Sequence, residues 1–177
     1  MFKIAVLISG NGSNLEALIH ACKNNDINGS IDLVLSNNPD AFGIKRAKNH
    51  SINYKVINHE NFQTREEFDQ AIINELKKSN PDLIVLAGFM RILSSLMIEA
   101  FKNKIINIHP SLLPKYPGLD THNSVLRNGD SKHGVTIHYV NEVLDGGEII
   151  AQGEISVQTN ETAEDLKKRI HGVEHVM

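Results

Sequence analysis

Apolar residues along this chain fall into short unbroken runs that alternate with stretches of helical spacing. Residues 3–8 form a continuous, β-branched apolar run that closes in Ser9-Gly10-Asn11-Gly12. Helical periodicity follows over 13–23, with Leu15, Leu18, Ile19 and Cys22 in one row. A second apolar run, 31–35, ends in the turn-rich Ser36-Asn37-Asn38-Pro39-Asp40. Residues 41–49 read as a helix and 54–57 as a third, less apolar strand. The spacing of Phe68, Ile72, Ile73 and Leu76 predicts a helix over 64–78. Residues 82–87 are the most apolar run and, lacking alternation, predict a central strand. A helix over about 94–101 leads into a strand at 105–109.

This β-α-β-α rhythm predicts an α/β fold: a doubly wound, mostly parallel, Rossmann-like sheet. The pattern changes after Pro110. Residues 111–118 make a loop with two prolines and a glycine, and a short helix is expected near 122–126. Two further strands, 135–140 and 148–157, flank the turn Leu144-Asp145-Gly146-Gly147 and are expected to pair antiparallel. A last helix begins near Thr162, where Thr162-Ala163-Glu164-Asp165 resembles a capping box. No repeat, low-complexity stretch or linker interrupts 1–177, so a single domain is expected.

Composition narrows the function classes. The chain has 177 residues, 41% hydrophobic and 22% charged, enough apolar material for a full core. A net charge of −3 supplies no basic field for nucleic acid or acidic lipid, so neither is an expected partner. The single cysteine, Cys22, excludes an internal disulfide, and its place on the apolar row predicts a core position. The first residues do not read as a signal peptide and no apolar run reaches membrane-spanning length. A cytoplasmic protein is expected.

The loop Gly10-Asn11-Gly12-Ser13-Asn14 joins the first strand to the first helix, at the edge where open α/β sheets bind ligands. Glycines admit close backbone approach, the helix start aims free N–H groups outward, and Ser13 and Asn14 add side-chain donors. That combination suits a monophosphate. A dinucleotide fits less well: Leu15 occupies the third glycine position, and strand two ends in Asn37 and Asn38 rather than an acid. A tight turn with a capped helix is the alternative reading.

In Ile106-Asn107-Ile108-His109-Pro110, strand alternation puts Asn107 and His109 on one face at the strand's carboxyl end. An in-phase amide and imidazole read as a donor pair for a carbonyl oxygen. Asp145, in a flexible Asp-Gly-Gly turn, would favour the imidazolium of a nearby His109 and raise its pKa. Such a group suits acyl transfer to an amine: Asn107 binds the oxyanion, His109 acts as general acid, and the amine attacks directly. No Gly-x-Ser-x-Gly elbow or Cys-His pair offers a protein nucleophile. Of the nine histidines, His109, His122, His133 and His138 match no tight ligand spacing, so no metal is expected.

These residues resemble the phosphoribosylglycinamide formyltransferase family, the folate-dependent enzymes of purine synthesis. The resemblance runs through Ser9-Gly10-Asn11-Gly12-Ser13-Asn14, Leu86-Ala87-Gly88-Phe89-Met90-Arg91-Ile92-Leu93, and the run from Asn107 to Gly118. His133-Gly134, His138 and Leu144-Asp145-Gly146-Gly147 complete it, over essentially the whole chain. It implies that Asn107, His109 and Asp145 are catalytic, and that 10-formyltetrahydrofolate is the co-substrate. It further implies that Gly12, Ser13, Asn14 and Glu174 bind glycinamide ribonucleotide, and that Arg65, Met90, Arg91, Ile92, Leu93 and Asn107 bind the folate. Met90, Ile92 and Leu93 would form an apolar slot for a flat pterin. A monomer or weak homodimer acting on small molecules is the implied state.

Two departures stand out. The family usually reads Gly-Leu-His-Thr-His where this chain has Gly118-Leu119-Asp120-Thr121-His122, and an acid close to His109 and Asp145 is expected to lower activity without abolishing binding. The family also continues beyond the last helix, whereas this sequence stops at Met177, which reads as a truncated end. The alternative functions are a formyltetrahydrofolate hydrolase, a formyltransferase for another amine, or a non-catalytic folate- or nucleotide-binding homologue.

Overall fold

A computed structural model describes residues 1–177. The elements follow in chain order: β1 (Phe2–Ile8), α1 (Ser13–Lys23), β2 (Gly29–Ser36), α2 (Phe42–Asn49), β3 (Tyr54–Val56), a 3-10 turn (His59–Asn61) and α3 (Arg65–Ser79). Then come β4 (Leu83–Leu86), α4 (Ser95–Ala100), β5 (Ile105–His109), α5 (Thr121–Arg127), β6 (Lys132–Tyr139), β7 (Ile149–Ser156) and α6 (Ala163–Glu174). Every expected element is present. The largest difference is β6, which begins three residues before the expected 135 because Lys132 and His133 pair with Ser156 and Ile155 of β7.

Strand order across the sheet is β3-β2-β1-β4-β5-β6-β7. β1–β2, β1–β4 and β2–β3 are parallel, and β6–β7 is antiparallel, as the late turn predicted. The chain groups into two compact units, Met1–Ile106 and Asn107–Met177, the division falling in the sequence of β5.

In the first unit the apolar rows bury as their spacing requires. Leu15 and Ile19 of α1, and Phe68, Ile72, Ile73 and Leu76 of α3, are all core residues, as are Val6, Leu7 and Ile8 of β1. Leu18 and Cys22 of the α1 row are only partly buried. β1 lies between β2 and β4, so the strand order reverses there and opens a crevice outside its carboxyl end. The Gly10–Asn14 loop sits at that point. Gly12 has φ +74, and a Cβ there would lie 2.7 Å from Gly43 Cα. Glycine is therefore required both by conformation and by the close approach of α2.

In the second unit, Val125, Val135, Leu166 and Ile170 form the core, with Ile108, Tyr116 and Val173 packed against it. Thr162 caps α6 by accepting from Asp165 N–H at 3.2 Å, as its sequence signature predicted. Gly147 also follows from close approach. A Cβ on it would lie 1.6 Å from the Tyr139 carbonyl oxygen.

Candidate active site

The loops at the crevice of the first unit are tied together by hydrogen bonds. Ser9 Oγ donates to Asn37 Oδ1 at 2.6 Å and accepts from Met90 N–H at 2.7 Å, while Ser9 N–H donates to Gly88 O at 3.2 Å. The ends of β1, β2 and β4 thus share one hydroxyl. The buried Asn37, which replaces the acid of a dinucleotide site, serves this bracing role. On the other side of the loop, Arg46 Nε donates to Asn11 O at 2.9 Å and Nη2 to Asn11 Oδ1 at 3.0 Å. No side chain caps α1 at Gly12, which departs from the capped-helix reading and leaves the cap position to backbone.

Of the apolar residues expected to line a slot, Met90 and Ile92 are 66% and 58% exposed. Leu93 is 7% exposed and belongs to the core. The alternation of a loop residue does not reveal which way it turns. Arg91 is exposed, and Arg65, the first residue of α3, pairs with Glu66 at 3.7 Å.

In the second unit the structure brings Asn107, His109 and Asp145 together. β5 delivers the first two, and the turn after β6 delivers the third. Asp145 adopts φ +49, a conformation that aspartate tolerates better than most residues. Its Oδ2 accepts from Gly118 N–H at 2.7 Å and lies 3.4 Å from His109 Nδ1. Its Oδ1 accepts from Asn107 Nδ2 at 3.3 Å and lies 3.6 Å from His138 Nε2. The turn expected to be flexible is thereby pinned through its carboxylate.

The side chains of His109 and Asp145 are only 6% and 8% exposed, so the pair is shielded from screening by water. Burial pushes the Asp145 carboxyl up, but the His138 imidazole beside it, the hydrogen bond from Gly118 N–H and the neighbouring His109 ring outweigh it and hold the carboxyl below its ordinary range. His109 Nε2 donates to the Tyr116 carbonyl at 2.9 Å. Both ring nitrogens of His109 thus face acceptors.

His138 completes the cluster. Its Nδ1 donates to the Tyr139 carbonyl at 2.9 Å, which leaves Nε2 to accept from Asn107 Nδ2 at 3.2 Å. Both amide hydrogens of Asn107 are therefore engaged, one by His138 and one by Asp145. The sequence pattern pointed to Asn107 as an open donor and did not assign His138. Strand periodicity shows which residues of one strand share a face, but not which residue of another strand meets them.

Asp120, expected to disturb this group, turns its carboxylate to Asn123 Nδ2 and to Arg127 Nη2, the latter at 3.1 Å. Glu174 ends α6, with its carboxylate 6% exposed and 4.0 Å from His171 Nε2. No helix is long and apolar enough to cross a membrane.

Comparison with known proteins gives one consistent result. The family model described as "Formyl transferase" matches residues 2–177. "Phosphoribosylglycinamide formyltransferase" of Escherichia coli (strain K12) is 47% identical over 174 residues, covering 98% of this chain and 82% of the relative. The Bacillus subtilis (strain 168) protein of the same name is 41% identical, covering 99% of this chain and 90% of its own length. The crystal structure of glycinamide ribonucleotide transformylase 1 from Symbiobacterium toebii matches with a TM-score of 0.98 at 39% identity, over 100% of this chain and 84% of that one.

Proposed function

The chain belongs to the formyl transferase family, and from that premise we propose that it moves the formyl group of 10-formyltetrahydrofolate onto the amine of glycinamide ribonucleotide. The observation that carries this reading is the buried Asn107–His109–Asp145 cluster, which holds an amide, an imidazole and a carboxylate together and contains no nucleophile. The substrate amine attacks the formyl carbon directly. A C–N bond forms to the amine, the carbonyl oxygen becomes an oxyanion, and collapse breaks the bond to the folate nitrogen.

Each residue then has a task. Asn107 exchanges its bond to His138 or Asp145 for one to the oxyanion, in a site where such a bond is strong because water is scarce. His109 gives a proton to the departing folate nitrogen, and Asp145, 3.4 Å from Nδ1, stabilises the cationic ring before transfer. The attacking amine gives up a proton to the imidazole that His109's transfer leaves neutral, so protons and charge balance over the reaction. Gly12, Ser13 and Asn14 receive the nucleotide phosphate at the start of α1, with Glu174 contacting the same substrate. Arg65, Met90, Arg91 and Ile92 contact the folate together with Asn107, and Leu93 does so through its backbone.

The test is to mix the protein with a 10-formyl folate, with and without glycinamide ribonucleotide, and to follow deformylated folate. Turnover only with the amine supports the transferase. Turnover without it identifies a hydrolase, and none at all a binding protein.

A further inference from the structure

We propose that Glu16, His20 and His50 form a binding site for one divalent transition-metal ion of the zinc class, on the α1–α2 face of the first unit. The ligand atoms are Glu16 Oε1, His20 Nε2 and His50 Nε2, and all lie within 4.8 Å of one another. Glu16 and His20 stand one helical turn apart on α1, and His50 is the C-cap of α2. Packing of the two helices joins residues far apart in sequence.

The spacing suits a small ion. Zinc binds nitrogen and oxygen donors at about 2.0–2.2 Å, so tetrahedral neighbours sit roughly 3.3 Å apart. His20 Nε2 is 3.3 Å from Glu16 Oε1, and His50 Nε2 is 2.7 Å from the same oxygen, which must open by about half an ångström to admit the ion. One carboxylate oxygen facing two imidazoles is a place where a cation can replace hydrogens. The rings stand nearly perpendicular, at 85°, with both Nε2 atoms on Oε1.

The surroundings help in one respect and oppose in another. Arg46 Nη1 holds Glu16 Oε2 at 3.1 Å while its other nitrogens grip Asn11, which fixes the carboxylate and leaves Oε1 for the ion. Lys23 works the other way. Its ammonium donates to His50 Nδ1 at 2.7 Å, so the ring hydrogen resides on Nε2. Metal binding at Nε2 moves that hydrogen to Nδ1 and evicts Lys23, an exposed side chain free to turn into solvent.

This opposition supplies a specific test. Zn²⁺ alone is titrated calorimetrically into the intact protein in a non-coordinating buffer, beside His20→Ala and Lys23→Gln. Both positions are exposed, so neither substitution threatens the fold. The wild type is expected to bind one ion, His20→Ala about tenfold more weakly or worse, and Lys23→Gln several-fold more tightly. Equal affinity in wild type and His20→Ala would place the zinc on other histidines and overturn the proposal. Absence of binding by the wild type, or unchanged or weaker binding by Lys23→Gln, overturns it as well. None of these outcomes depends on formyl transfer.

Discussion

The amide of Asn107 carries two hydrogens, and both are held in the resting arrangement, by His138 Nε2 at 3.2 Å and Asp145 Oδ1 at 3.3 Å. Those bonds orient the group before substrate arrives. Asn107→Ala is expected to lower kcat by about 10²–10³-fold, the usual loss for one oxyanion donor. Asp145→Asn retains an acceptor for Gly118 N–H but removes the charge facing His109, and a comparable fall in kcat is expected. Because the two residues are bonded to each other, the double variant should lose less than the product of the single losses, read from steady-state kinetics on all three. Asp120 belongs to a different neighbourhood. Its carboxylate is paired with Arg127, and the groups that shift Asp145 are His138, Gly118 and His109. Asp120→His is accordingly expected to leave kcat within about threefold, an exposed pair contributing little; a tenfold gain would restore the disturbing role that proximity in sequence suggested. Asn107, His109 and Asp145 were legible from the sequence because two share a strand face and the third lies in a marked turn. His138 was not, since its position beside them is set by neighbouring strands and leaves no local signal.

Among the elements, local chemistry predicted most boundaries well. Thr64 accepts from Glu67 N–H at 3.1 Å, and Glu67 Oε2 accepts from Gln63 N–H at 3.0 Å, so α3 starts where a cap and an acid three residues later require. Thr64→Ala should reduce stability by about 1 kcal/mol in denaturant unfolding. Where boundaries were missed, pairing at a distance was responsible: Lys132-His133-Gly134 has no strand alternation of its own and is extended by β7. The helix row of α3 was readable down to single residues, and that of α1 except for Leu18 and Cys22, which are only partly buried. The Cys22 thiol is pushed up by burial, so it stays protonated at neutral pH and modifies slowly. The cluster of Glu16, His20 and His50 shows the same limit, because only the packing of α1 on α2 brings it together.

At the scale of the whole molecule, stability should depend on pH through a histidine pair in the second unit. His122 Nδ1 and His133 Nε2 are 3.0 Å apart, and His133 Nδ1 is buried without a protein partner. Burial is the chief reason that both are lowered from 6.5 to about 4. Between those values the unfolded chain binds more protons than the folded one, so stability rises with pH across that window and is lost as pH falls. From pH 7 to pH 5, about 1–2 kcal/mol per group should disappear, and His133→Gln should flatten the slope in unfolding measured at both pH values. The contact between Gly12 and Gly43 has a consequence of another kind. A Cβ on Gly12 would meet the Gly43 backbone at 2.7 Å, and one on Gly43 would meet Ile8 Cδ1 at 2.4 Å. The obstacle at Gly12 is main chain and comes with a positive φ, whereas that at Gly43 is the end of the Ile8 side chain. Sequence drift therefore has no route through position 12, and a library randomised at both positions should return glycine at 12 while position 43 opens only together with a smaller residue at 8.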